Sequence, residues 1–301
     1  MRILSLLASA TEIVAALGLE DRLVGRSHEC DFPESVLRLP VCTRPKFDIS
    51  GSSADIDRRV KDSLQTDSSV YAVDARLLGE LRPDVIITQA QCEVCAVSFK
   101  DVEAAVAGMV SRPQVVSLNP NALADVWEDV RAVAAACDVR DRGEDLARTL
   151  QSRIRAVSDR SRALPDRPTV ACIEWIDPLM AAGNWVPELV ELAGATNLFG
   201  AAGRHSPWMT WDDLVRRDPD VIVVMPCGFD LLRTKAELRA LTARAEWRML
   251  KAVQNGRTWA ADGNAYFNRP GPRLIEALEM LAQAFHPEEF QFGHRGMERL
   301  A

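Results

Sequence analysis

No stretch of this chain approaches the roughly 20 consecutive apolar residues that a bilayer-spanning helix needs, which excludes an integral membrane protein. A basic excess is also missing. With 36 Lys and Arg against 43 Asp and Glu, the formal net charge is −7, so there is no cationic surface with which to neutralise a nucleic-acid backbone. Neither a P-loop nor a dinucleotide fingerprint is present. A serine in a nucleophile elbow and a carboxylate pair in an acid–base setting are likewise absent, which removes the usual hydrolytic machinery. His205, His286 and His294 have no metal-type spacing and read as exposed polar residues. The seven cysteines are an odd number, which does not make a disulfide framework and fits a reducing compartment.

At the N-terminus, Arg2, the apolar run Ile3 to Leu7 and the triplet Ala8-Ser9-Ala10 imitate a signal peptide, but the run is too short for one. The segment reads as a buried strand over 2–7, followed by Ser9-Ala10-Thr11-Glu12 as a capping box opening a helix over 12–17 that Gly18 ends. On that reading the expected location is cytoplasmic.

What is present is a substantial core, since 48% of 301 residues are hydrophobic. Short apolar runs alternate with helical patterns, the mark of an α/β chain with parallel sheets. Strands are expected over 3–7, 23–25, near Val41, and over 85–88 and 114–118. No strand signal occurs from about 122 to 163, where Leu146, Leu150, Ile154 and Val157 recur at helical spacing. A second run then follows, with strands over 170–176, 221–225 and 258–260. Helices are expected over 186–192, 211–216, 235–241 and 274–285, and Asn197 in a loop. Asp218-Pro219-Asp220 before Val221 repeats Arg82-Pro83-Asp84 before Val85. The expectation is two Rossmann-like lobes with parallel sheets, 1–120 and 166–301, joined by a long backbone helix within 121–165.

Six of the cysteines, all but Cys137, fall in or beside strands or the loops that follow them. In open parallel sheets ligands bind outside the carboxyl ends of the strands. Cys30, Cys42, Cys92 and Cys95 are therefore expected on one rim with His28. Thiolates and an imidazole are donors for zinc or another soft metal and for an iron–sulfur cluster, and Cys92-x-x-Cys95 suits redox chemistry. Small buried thiols are the competing reading. The second half offers Trp175, Trp185, Trp208, Trp211, Tyr266 and Phe267. Trp208 and Phe267 sit among Pro, Asn, His and Arg, which suits a ligand cleft, while Trp127 and Trp247 lie in helical patterns and read as packing residues.

Arg2-Ile3-Leu4-Ser5-Leu6 running into Ser9-Ala10-Thr11-Glu12, then Gly18, Val24-Gly25 and Asp31-Phe32-Pro33, resembles the opening of the class III periplasmic binding proteins that serve vitamin B12 importers. Leu81-Arg82-Pro83-Asp84, Gly194-Ala195-Thr196-Asn197-Leu198-Phe199, Pro207-Trp208 and Phe267-Asn268-Arg269 extend the resemblance over nearly the whole chain. It implies a monomeric, non-catalytic protein that captures cobalamin, another corrinoid or a related metal chelate in a cleft between two lobes. It further implies that Trp208, Phe267 and Arg269 hold the ligand and that Asp212 docks onto an ABC permease. Where the family carries first-lobe aromatics, this chain has Glu29, Arg44 and Gln89, and Arg76 falls near the family's other docking acid. The expected ligand-binding set is thus His28, Glu29, Cys30, Arg44, Gln89, Trp175, Trp208, Phe267 and Arg269. The expected metal-ligating set is His28, Cys30, Cys42, Cys92 and Cys95. The competing function is a thiolate metal or redox protein built on the Cys30, Cys42, Cys92 and Cys95 rim.

Overall fold

The computed structural model describes residues 1–66, 69–90 and 97–300. Its contacts divide the chain into two compact units. One comprises Met1–Gly51, Asp55–Pro120 and Ala124–Thr149, and the other Ser52–Ala54, Asn121–Leu123 and Leu150–Ala301.

In the first unit, β1 (Ile3–Ser5), β2 (Leu23–Arg26), β5 (Val85–Gln89) and β6 (Gln114–Leu118) form one all-parallel sheet in the order β2-β1-β5-β6. Leu4, Leu6, Ile86 and Val102 are buried between this sheet and its helices. A fully buried aliphatic side chain of this kind contributes roughly 1.5–3 kcal/mol. Beside the sheet, β3 (Thr43–Pro45) and β4 (Tyr71–Val73) pair antiparallel. The expected edge near Val41 is a single bridge from Val41 to Arg26, with β3 beginning two residues later.

The first helix runs Ala8–Ala16, four residues earlier than the capping-box reading places it, and no side chain caps it. Ser9, Thr11 and Glu12 are buried within it. The Thr11 hydroxyl donates to Ser5 Oγ at 2.8 Å, so the polar residues that mimic a cap tie the helix to β1. Gly18, at φ +72°, stands just past its end as expected. The helical stretch after β6 is two helices, Leu123–Ala136 and Arg140–Arg162, separated at Asp138, whose φ is +59°.

In the second unit the sheet order is β12-β11-β10-β7-β8, with β9 also paired to β7. Here β7 (Thr169–Trp175), β9 (Thr196–Asn197), β10 (Val221–Val224) and β11 (Thr258–Ala261) are parallel. The strands β8 (Met180–Ala181) and β12 (Met297–Arg299) run antiparallel at its margins. Asn197 therefore lies in a two-residue strand instead of a loop, and the sheet is mixed. The helices Val186–Leu192 and Leu274–Phe285 have the expected bounds. The helix expected over 235–241 is two, Leu231–Glu237 and Arg239–Thr242.

The repeated Pro-Asp signal has one physical meaning in both units. Arg82 and Asp218 close their helices in the left-handed region, at φ +46° and +41°. Two residues on, an aspartate brackets the neighbouring strand. Asp84 Oδ2 accepts from the Arg2 N–H at 2.7 Å, and Asp220 Oδ2 from the Thr169 N–H at 2.9 Å. The aspartate N–H groups return the bond to the same residues' carbonyls, at 2.8 and 3.0 Å. These pairs fix the register of β5 against β1 and of β10 against β7, and so set which residues reach the carboxyl rims.

Candidate functional site

At the carboxyl rim of the first unit the loop after β2 carries His28, Glu29 and Cys30. The Thr43 hydroxyl receives the His28 backbone N–H at 3.0 Å and meets its Nδ1 at 2.7 Å. His28 also lies 5.1 Å, centroid to centroid, from the Tyr71 ring, and its Nε2 is 3.1 Å from Glu29 Oε1. The loop and the β3–β4 pair thus lock each other. Arg44 is exposed beside Thr43, whereas Gln89, ending β5, is buried. The structure brings His28, Glu29, Cys30, Cys42 and Arg44 into one neighbourhood.

The thiols of that neighbourhood face inward. Cys30 and Cys42 are completely buried, and Cys30 Sγ lies 3.0 Å from the Thr11 hydroxyl oxygen. Burial pushes the Cys42 thiol up to about 11, with Asp74 and Cys30 adding to the rise against the Arg26 N–H and charge that lower it. A thiol of that kind keeps its proton at neutral pH, and metals bind the thiolate. Cys92 and Cys95 lie outside the described residues. Among the described residues no group of three or more His, Cys, Asp or Glu is placed to hold a metal ion.

In the second unit the loops after β7, β10 and β11 interlock. The Trp175 and Phe229 rings lie 5.4 Å apart, and the Arg233 guanidinium sits 4.0 Å over Phe229. After β11 comes a single π-helical turn, Gly263–Phe267, a geometry concentrated at functional sites. Asn264 N–H donates to Phe229 O at 3.1 Å, and Asn268 Nδ2 to Met225 O at 3.0 Å. Gly263 is required there, since a Cβ would stand 2.2 Å from Pro226 O. Burial raises the Asp262 carboxyl above its ordinary value, against a bond from the Ala265 N–H.

The expected aromatics part company here. Phe267 is wholly buried and its carbonyl accepts from Trp185 Nε1 at 2.8 Å, so both rings pack the interior. Trp127 and Trp247 are buried too. Arg269 is buried and reaches Asn264 Oδ1 at 3.2 Å. Trp175 is half-buried. Of the seven tryptophans, Trp208 is the exposed one, at 59%.

Trp208 lies on a segment that the rest of the unit clamps. Ala181 N–H donates to Pro207 O at 2.9 Å, Met209 N–H to Leu179 O at 3.0 Å, and Gly203 N–H to Asn184 O at 3.0 Å. The buried Ser206 hydroxyl accepts from the Gly183 N–H at 3.1 Å and donates to Glu174 Oε1 at 2.9 Å. This anchor leaves no sequence pattern, because Glu174 and Ser206 are 32 residues apart and are brought together through β8, which pairs with β7 on one side and bridges to Trp208 on the other. Beyond it, Asp212 is exposed in the first turn of the helix Trp211–Arg217. His286 Nε2 meets Gly194 O at 3.1 Å and His294 Nε2 meets Glu279 Oε2 at 2.6 Å, so neither is the free surface residue that its spacing suggested.

Two α/β units, each with its loops gathered at the carboxyl ends of parallel strands, suit the binding of a solute at those rims. The chain belongs to the periplasmic binding protein family, whose pattern matches residues 3–265. It is 23% identical over 299 residues to an ABC transporter substrate-binding lipoprotein of Bacillus subtilis, covering 96% of this chain and 81% of that protein. It is 22% identical over 289 residues to a vitamin B12-binding protein of Vibrio vulnificus, covering 94% and 89%. Among solved structures, a periplasmic heme-binding protein of Pseudomonas aeruginosa has a TM-score of 0.75 at 20% identity, covering 100% of this chain and 98% of the other. The periplasmic vitamin B12-binding protein of Vibrio cholerae has 0.68 at 20%, covering 96% and 98%.

Family membership overturns the cytoplasmic expectation, since these are periplasmic or lipoprotein binding proteins of ABC importers. The inference from cysteine count failed for a physical reason. Cys30, Cys42, Cys137 and Cys172 are buried, and burial pushes the Cys137 thiol to about 11 and raises that of Cys172 further. Thiols held protonated inside a fold resist oxidation in any compartment.

Proposed function

We propose that the chain captures a metal tetrapyrrole, with corrinoids first among them, and presents it chemically unchanged to an ABC permease. The observation that carries this reading is Trp208. Its indole is exposed, yet the loop beneath it is hydrogen-bonded at both flanks and through Ser206. A rigid, flat apolar face held in water gains free energy when a macrocycle covers it, at little cost in side-chain entropy. The vitamin B12-binding and heme-binding relatives support the same class, because their named ligands are both planar macrocycles around a metal.

The other groups follow from their chemistry. Trp175 offers a half-buried ring edge, while Phe267 and Arg269 act from inside, holding the π-helical turn in place. The first rim presents His28, Glu29 and Arg44, polar groups that hydrogen-bond amide or carboxylate substituents and do not stack on a ring, with Gln89 buried behind them. Asp212 is the acid offered to a basic permease surface.

Replacement of Trp208 by Ala is expected to weaken cobinamide or hemin binding about 30-fold, roughly 2 kcal/mol, as for a central aromatic anchor. Fluorescence quenching titrations of the two proteins measure this. Unchanged affinity would remove the observation on which the reading stands.

A further inference from the structure

Three residues before Trp208 the same clamped loop carries a histidine whose orientation the backbone fixes. His205 is exposed, and its Nδ1 lies 3.1 Å from the carbonyl oxygen of Ser206. A carbonyl only accepts, so the contact places the ring proton on Nδ1 and leaves the lone pair on Nε2. Among the described residues nothing engages Nε2. This is the arrangement by which imidazoles are prepared for metals: one nitrogen is tied to a backbone oxygen, and the other is directed outward as the donor.

The oxygen that ties the ring is itself fixed. Ser206 is buried and its hydroxyl is shared between Gly183 N–H and Glu174. On the other side of His205, the Arg204 carbonyl accepts from Asn184 N–H at 2.6 Å. Asn184 adopts φ +52°, and a Cβ on Gly183 would fall 2.5 Å from Arg204 O and 2.8 Å from the His205 carbonyl carbon. The backbone on both sides of the imidazole is thus immobilised by close contact. A donor on so rigid a support loses little entropy on coordination.

We propose that His205 Nε2 is an axial ligand to the metal of the captured tetrapyrrole. This rests on the capture reading and adds to it a coordination bond. The Nε2 lone pair bonds to the metal and a bound water leaves, with no change of oxidation state. Ferric iron and cobalt(III) both accept imidazole in this way. The exposed Arg204 next to it supplies a cation for an acidic substituent at the macrocycle edge.

The test uses the full chain with hemin and with diaquacobinamide, followed by absorption spectroscopy. Bound wild-type protein is expected to shift both probes to imidazole-ligated spectra. His205→Ala should still bind them, about 10-fold more weakly, with the water-ligated spectrum. Added imidazole should restore the ligated spectrum to that variant, which a merely structural role would not allow. Dicyanocobinamide, with both axial positions occupied, should bind wild type and variant alike. If wild type binds either probe without a ligand-field shift, or His205→Ala keeps the shift, the coordination bond is refuted while capture stands. If wild type binds neither probe, the capture reading itself fails and the coordination bond falls with it.

Discussion

Asp129 illustrates at the residue scale how little of a side chain's environment its sequence context reveals. It follows the helical pattern of 123–136, where an acid reads as solvated surface, yet it is buried. One carboxylate oxygen has no partner. Burial, reinforced by the charges of Asp125 and Glu128, pushes its pKa from 3.8 to about 7, against a bond from the Asn119 backbone that lowers it. The raised value means the folded state holds a proton that the unfolded state releases near pH 4. Stability contributed by the protonated form is therefore present at low pH and is lost as pH rises toward about 7. We expect Asp129→Asn to stabilise the protein at pH 8 and to flatten the dependence between pH 5 and 8, as read from urea midpoints at the two pH values. A variant with the wild-type slope would show that another group carries it. At the same scale, Trp208 stood out in sequence because Pro, His and Arg surround it, whereas His205 did not. A single histidine has no spacing to recognise, and its distinguishing contact is to its own neighbour's carbonyl.

Elements were far more legible than individual contacts. Strand β6 and the helices Val186–Leu192 and Leu274–Phe285 fall where periodicity and Pro or Gly punctuation place them. In each case the apolar spacing and the buried face are the same fact. The misses have a common cause too. β4, β9 and β12 are two or three residues long and are held by partners distant in sequence, and β8 has only two residues, so no local period announces them. The first helix starts early because Ser9 and Thr11 are buried against β1 instead of capping. The clamp on residues 203–209 belongs to this scale. Gly183→Ala places a methyl against the Arg204 carbonyl and must displace one segment or the other. We expect it to cost about 1–3 kcal/mol by overpacking and to weaken tetrapyrrole binding although residue 183 carries no ligand-binding side chain. Thermal melts and hemin titrations check both effects, and a destabilised variant with unaltered affinity would separate loop rigidity from binding.

For the whole molecule, the repeated Arg-Pro-Asp and Asp-Pro-Asp signals were the best guide. They show up as the same register device in both units, Asp84 with Arg2 and Asp220 with Thr169. The family resemblance carried in sequence by the opening strand and the Gly194–Phe199 and Pro207–Trp208 motifs agrees with the family match over residues 3–265. Location is the error: it rests on reading residues 2–7 as a strand and not a signal peptide, with cysteine number in support, and buried thiols do not report the compartment. Periplasmic binding proteins of this fold include one whose solved structure is described as a possible iron-binding solute protein, so the decisive contrast is a tetrapyrrole against an open-chain iron chelate.

The most direct measurement is calorimetric titration of the purified chain, side by side, with cobinamide, hemin and a ferric tris-catecholate. The account predicts saturable one-site binding of at least one macrocycle at micromolar affinity or tighter, with the ligand recovered unaltered and no heat from the catecholate. Tight binding of the ferric catecholate with no heat from either macrocycle would contradict it.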